Sequence, residues 1–178
     1  MRILKFLAVI GVCILLICTP CKAEITPQLL TEWGRQPSNV KLDLYYQRTN
    51  IQVVDKLPWE SPNLYATYAY TKMKTIPNTQ YVYGIDMYIK TGEESSLTHE
   101  VGHCISNYQG IPYYWCNTPT FDAIWQAERA NNIMMYQGRD NKIEYFACAY
   151  DMYIRFNHVL RQSNPMTYEY IKNVLKYI

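Results

Sequence analysis

The chain has 178 residues, of which 49% are hydrophobic and 18% charged, and its formal net charge is +2. This is one domain's worth of chain with a real core. It carries no basic cluster of the kind a nucleic-acid-binding surface needs. The chain opens on Met1-Arg2-Ile3-Leu4-Lys5, a short basic start, and Phe6 to Cys18 then runs apolar into Thr19-Pro20-Cys21-Lys22-Ala23. That is the pattern of a secretory signal peptide cleaved after Ala23, with an apolar run too short to span a bilayer. Ile17 and Pro20 stand before Cys18 and Cys21, where a lipoprotein signal would carry a small residue. The expectation is a signal peptide over 1–23 and one folded domain over 24–178, secreted, monomeric and without stable membrane association. Removing Arg2, Lys5 and Lys22 leaves 14 basic residues against 15 acidic ones, so nucleic acid is not an expected partner.

The elements follow in chain order. Ile25 to Arg35 reads as a helix with Leu29, Leu30 and Trp33 on one side, ended by Gln36-Pro37-Ser38. Ser38 is placed to cap a second helix to about Arg48. Ile51 to Asp55 is short and β-branched, a buried strand. Pro58, Ser61, Pro62 and Asn63 make a loop in which Trp59 covers an apolar surface. Tyr65–Met73 and Tyr81–Ile89 alternate on either side of Ile76-Pro77-Asn78-Thr79 and read as a β-hairpin. The second of these strands, at Tyr83, Gly84, Ile85 and Asp86, is the candidate edge on which an extended peptide would lie. Thr91-Gly92-Glu93-Glu94 reads as a capping box opening a helix over about 92–107. Ile111 to Asn117 is an aromatic loop, placed to wall a cleft. Thr118 or Thr120 caps a helix to about Ala130, another runs from Asn141 to Gln162, and Thr167 caps the last.

The helix at 92–107 carries His99-Glu100-Val101-Gly102-His103. Positions i and i+4 lie one turn apart on one helix face, so two imidazoles there can bind one Zn²⁺. Glu100 between them is placed to act as general base toward a water. The chain has three His, and the third, His158, reads as a surface residue. Glu144 opens a helix among apolar neighbours, where a carboxylate needs a partner; two His and one Glu form a known open zinc set. Asp151 is a rival for that third position. Cys104, Cys116 and Cys148 remain after the signal. Cys104–Cys116 is the favoured disulfide, with three buried free thiols the alternative.

The run Tyr136-Gln137-Gly138-Arg139-Asp140-Asn141-Lys142-Ile143-Glu144-Tyr145-Phe146-Ala147, together with the His99–His103 motif, resembles the catalytic domain of anthrax toxin lethal factor. That family of zinc peptidases includes small secreted Pro-Pro endopeptidases. The resemblance covers about residue 85 to the C-terminus. It implies an α+β, zincin-like fold: a small mixed sheet, an active-site helix and a C-terminal helical half. It also implies hydrolysis of peptide bonds, with His99, His103 and Glu144 as ligands of one Zn²⁺ and Glu100 as base. A tyrosine upstream of the ligand Glu serves the oxyanion in the family. Tyr136 matches it with one extra residue, Gln137, in between, and Tyr145 is the alternative. Cys148 stands where the family's pattern has an acidic residue behind a zinc ligand. The reading is a secreted zinc metalloendopeptidase acting on peptide or protein, with proline-rich sites suggested by the Pro-Pro branch alone. The alternatives are a catalytically inactive binding protein with a structural zinc site, which would need no Glu100, and a toxin-type effector protease.

Overall fold

The computed structural model describes residues 25–58, 68–131 and 138–178. The expected signal peptide, most of the expected Trp59 loop and Tyr136 lie outside the described residues.

Helices α1 (Pro27–Arg35) and α2 (Ser38–Tyr46) come first. Thr26 accepts from the Leu29 amide at 3.1 Å, and Pro27 fixes the first turn of α1. Ser38, expected to cap α2, is its first helical residue; Pro37 in extended conformation sets the entry instead. α2 sends Val40 and Leu44 into the core.

Strands β1 (Thr49–Val54), β2 (Ala69–Thr75) and β3 (Val82–Lys90) form a sheet in the order β1-β3-β2. β3 runs parallel to β1 and antiparallel to β2. The expected hairpin therefore forms, but its second strand is inserted in the middle of the sheet. This corrects the expectation for Tyr83, Gly84, Ile85 and Asp86. Ile85 aligns with Thr49 on one side and Met73 on the other, and Asp86 with Asn50 and Lys72. The Asp86 carboxylate is also held from both neighbours, by Lys74 Nζ at 2.7 Å and Asn50 Nδ2 at 3.4 Å. The physical reason is burial: Ile85, Met87 and Ile89 are fully enclosed, and a strand so apolar is most stable with its backbone groups bonded on both sides. The edge strands are β1 and β2.

Helix α3 (Leu97–Ile105) carries the His motif and follows a 3₁₀ turn at Glu94–Ser96. The expected capping box does not form. Thr91 Oγ1 donates to Asp55 Oδ1 at 2.9 Å, and Gly92 at φ +86° turns the chain. The α-helix is accordingly shorter than 92–107.

The C-terminal half is helical: α4 (Pro119–Glu128), α5 (Lys142–Arg155), α6 (Asn157–Ser163) and α7 (Pro165–Val174). Thr118 caps α4 through the Phe121 amide at 3.2 Å. The helix expected over 141–162 is two helices, broken at Phe156 (φ −132°, ψ 46°). Thr167 does not cap α7. Its amide and hydroxyl donate to Glu128 Oε2 at 2.9 and 2.7 Å, and Met166 N donates to Oε1 at 3.0 Å. A carboxylate from α4 thus serves the helix start that a local side chain was expected to serve.

The core lies between the sheet, α3 and the C-terminal helices, with Leu97, Val101, Ile105, Phe121, Phe146 and Leu160 fully buried. α3 and α5 cross at Gly102 and Ala147, so closely that a Cβ on Gly102 would lie 2.7 Å from Ala147 Cα. Cys104, Cys116 and Cys148 are free and buried, so the favoured Cys104–Cys116 disulfide is not present. Among the described residues no helix is long and apolar enough to cross a membrane. The architecture is the expected α+β arrangement of small mixed sheet, motif-bearing helix and helical C-terminal half.

Candidate active site

A cleft of about 820 Å³ opens between β2 and the helices α3 and α5. His99 and His103 stand one turn apart on α3, their rings edge to face with centroids 4.9 Å apart. α5 brings in Glu144. Asn141 caps that helix, its side chain accepting from the Ile143 and Glu144 amides at 3.0 and 3.4 Å, which fixes Glu144 in the first turn. Its carboxylate lies 3.2 Å from His99 Nε2 and 3.6 Å from His103 Nε2. Glu100, 6% exposed, turns into the same cleft; an oxygen of its carboxylate and a ring nitrogen of each His lie within 4.8 Å of one another.

The spacing fits a zinc ion. Two ligands about 2.0–2.1 Å from one ion at the tetrahedral angle stand about 3.3 Å apart, close to the separations between Glu144 and each His. The electrostatics agree. Burial pushes the His99 ring down, but its bonds to Cys148 and Glu144 outweigh burial and raise it to about 10. Burial and then the charge on His99 lower His103 to about 4. Glu144 is lowered, chiefly by its bond to His99. A proton on His99 thus faces the Glu144 carboxylate, in the place where a divalent cation would compete with it.

Two further groups hold the site from behind. Cys148 Sγ lies 3.8 Å from His99 Nδ1, the ring nitrogen away from Glu144. Thr71, on β2, donates through Oγ1 to Glu100 Oε2 at 2.5 Å. Burial raises Glu100, and this bond opposes the rise. Three tyrosines stand in the walls. Tyr70 comes from β2 and Tyr68 from just before it, and Tyr113 stands in the loop after α3. Tyr113 has φ +53°, and its amide donates to Asn107 Oδ1 at 3.0 Å. That hydrogen bond holds a conformation which non-glycine residues seldom adopt.

The remaining expected residues fall as follows. Tyr145 is adjacent to Glu144 in sequence but points away from the cleft. It is fully buried, with its hydroxyl 2.9 Å from Thr167 Oγ1 and 3.0 Å from Asn164 Nδ2, and burial pushes it up to about 12. It cannot reach the site because successive helical residues project about 100° apart, so the reading of Tyr145 as the oxyanion tyrosine is withdrawn. Asp151 lines the cleft, but its carboxylate is taken by Arg155 Nε at 2.7 Å. His158 is exposed. Tyr83, Gly84, Ile85 and Asp86 are not at the edge beside the His pair; Ala69, Tyr70 and Thr71 of β2, with Tyr68 just before it, are. Sequence patterns missed Thr71, whose partner lies 29 residues away, whereas the aromatic loop expected to wall the cleft does so through Tyr113.

The family model for "Anthrax toxin lethal factor, N- and C-terminal domain" matches residues 22–174. The chain belongs to that family. The lethal factor family is one of zinc metallopeptidases, and His99, Glu100 and His103 supply its motif here. The chain is thus a metallopeptidase-family enzyme with a potential metal site, and its substrate class is protein or peptide. No curated protein matches it.

Proposed function

We propose that the chain is an exported zinc metalloendopeptidase in which His99, His103 and Glu144 hold the metal and Glu100 is the general base. The observation that carries this reading is the convergence of both Nε2 atoms on the Glu144 carboxylate at 3.2 and 3.6 Å, with Glu100 beside them. When bound, zinc supplies a Lewis acid that polarises the scissile carbonyl and acidifies water. Glu100 takes a proton from the attacking water and passes it to the leaving amine. The cleft side of β2 aligns the substrate backbone, with Tyr68 and Tyr70 on either side of Ala69. Tyrosine faces pack well on pyrrolidine rings, which supports proline beside the cleaved bond. Tyr136 serves the oxyanion, by the family's pattern. Export rests on residues 1–23, and the buried thiols suit an oxidising compartment because enclosed thiols are inert.

A structural zinc site would need a fourth protein ligand. Among the described residues Glu100 is the near one, with Oε2 held by Thr71, while Cys148 is turned toward the other nitrogen of His99 and Asp151 toward Arg155. The test is digestion of a diverse peptide library by the chain lacking residues 1–23 and by its Glu100→Gln variant, with zinc content measured on both. Cuts within peptides made by the first alone, at equal zinc, support the reading and show whether proline flanks the bond. Zinc uptake by both with no cut by either would overturn it.

A further inference from the structure

Ala69, Thr71 and Met73 alternate on β2, on the side less exposed than Tyr70 and Lys72. Ala69 and Met73 meet the core there as apolar side chains. Thr71, between them, instead meets the buried Glu100 carboxylate, with Oγ1 at 2.5 Å from Oε2. We propose that Thr71 is a positioning residue for the reaction: its hydroxyl pins Oε2 of Glu100 and leaves Oε1 to exchange the proton with water. The inference rests on the general-base reading of Glu100.

A glutamate carboxylate has three rotatable bonds and, in a cleft, several places to point. A hydroxyl donor on a strand fixes one oxygen without adding charge. An Arg or Lys in its place would hold the carboxylate more firmly but weaken it as a base. The donor's position on β2 also matters. The same strand is proposed to align the substrate, so base and scissile bond take their placement from one rigid element.

The test compares Thr71→Val, which keeps the β-branched shape and removes the hydroxyl, with Thr71→Ser, which keeps the hydroxyl. Acetohydroxamate binding to the zinc-loaded protein is measured by calorimetry, since a hydroxamate at such a site shares its proton with the base carboxylate and needs no turnover. Peptide cleavage gives kcat and KM separately. Thr71→Val is expected to weaken acetohydroxamate about tenfold or more and to lower kcat by a similar factor with KM little changed. Thr71→Ser is expected to stay within about threefold of the unmutated chain and to keep its Tm, and both variants to keep its zinc content. Equal acetohydroxamate affinity in Thr71→Val and the unmutated chain would overturn the assignment, as would a Thr71→Ser variant impaired as badly as Thr71→Val. Glu100→Gln separates the two levels of failure. If it too binds acetohydroxamate undiminished, the general-base reading falls and takes Thr71 with it. If only Thr71→Val is undiminished, Thr71 alone is wrongly assigned.

Discussion

Cys148 places a sulfur 3.8 Å behind His99 Nδ1, at a point where a metal-ligating histidine ordinarily donates to a carboxylate or carbonyl. Such a partner fixes the ring's tautomer and raises its basicity, and losing it costs roughly 10–100-fold in metal affinity. Cys148→Ala is therefore expected to weaken zinc binding by about tenfold or more in a chelator competition, and Cys148→Asp to recover most of it. An alanine variant that holds zinc as tightly as the unmutated chain would remove Cys148 from the site. The contrast between residues found and missed is physical. His99, Glu100 and His103 are legible because one helical turn fixes their mutual placement. Glu144 was legible as a carboxylate in apolar surroundings that needed a partner. Thr71 was not, because its partnership depends on which side of the sheet β2 occupies. Tyr145 misled because adjacency in sequence was taken for adjacency in space.

At the scale of elements, the metal-site geometry depends on how closely α3 approaches α5. Gly102 permits the crossing, since a Cβ there would meet Ala147 Cα at 2.7 Å and its carbonyl oxygen at 3.0 Å, both backbone atoms. Gly102→Ala gains about 1 kcal/mol in helix propensity. It also forces two backbones apart, an overpacking cost of about 1–3 kcal/mol. The net expectation is a lower Tm and weaker zinc binding, because Glu144 moves with α5 while His99 and His103 stay on α3. Unchanged zinc affinity in a folded Gly102→Ala variant would show that the crossing does not set the site. The hairpin, the cap at Thr118 and the motif helix could be read locally. The order of the sheet and the caps of α3 and α7 could not: β1 claims the far side of β3, Asp55 claims Thr91, and Glu128 reaches across to the start of α7.

Across the whole molecule, a polar network buried beneath the motif helix joins distant parts of the chain. Glu32 in α1, 5% exposed, pairs with Arg155 at the end of α5 at 2.7 Å. Thr98, next to His99, donates to Glu32 Oε2 at 3.3 Å and accepts from Gln36 Nε2 at 3.0 Å. Tyr150 donates to Gln36 Oε1 at 2.7 Å, and Arg155 also reaches the Ser95 carbonyl. Removing one partner of a buried pair leaves an uncompensated charge, which costs about 3–5 kcal/mol. Arg155→Met leaves Glu32 with Arg35 at 3.6 Å and Asp151 without its partner; it should lower stability by about 3 kcal/mol in urea unfolding, and adding Glu32→Gln should return part of it. Equal losses in the single and double variants would show that the pair is not coupled. Periodicity could not reveal this network, since its members are up to 123 residues apart.

The free thiols have a use as reporters. Cys104 and Cys116 are fully enclosed, while Cys148 is 7% exposed beside His99. An alkylating reagent can modify the first two only when the core itself parts, so their labelling rate measures global opening. Cys148 answers to smaller excursions around the cleft. A ligand that clamps the cleft without stiffening the core would slow alkylation at Cys148 and leave the other two on their former clock, resolving local closure from overall stability in one mass spectrum.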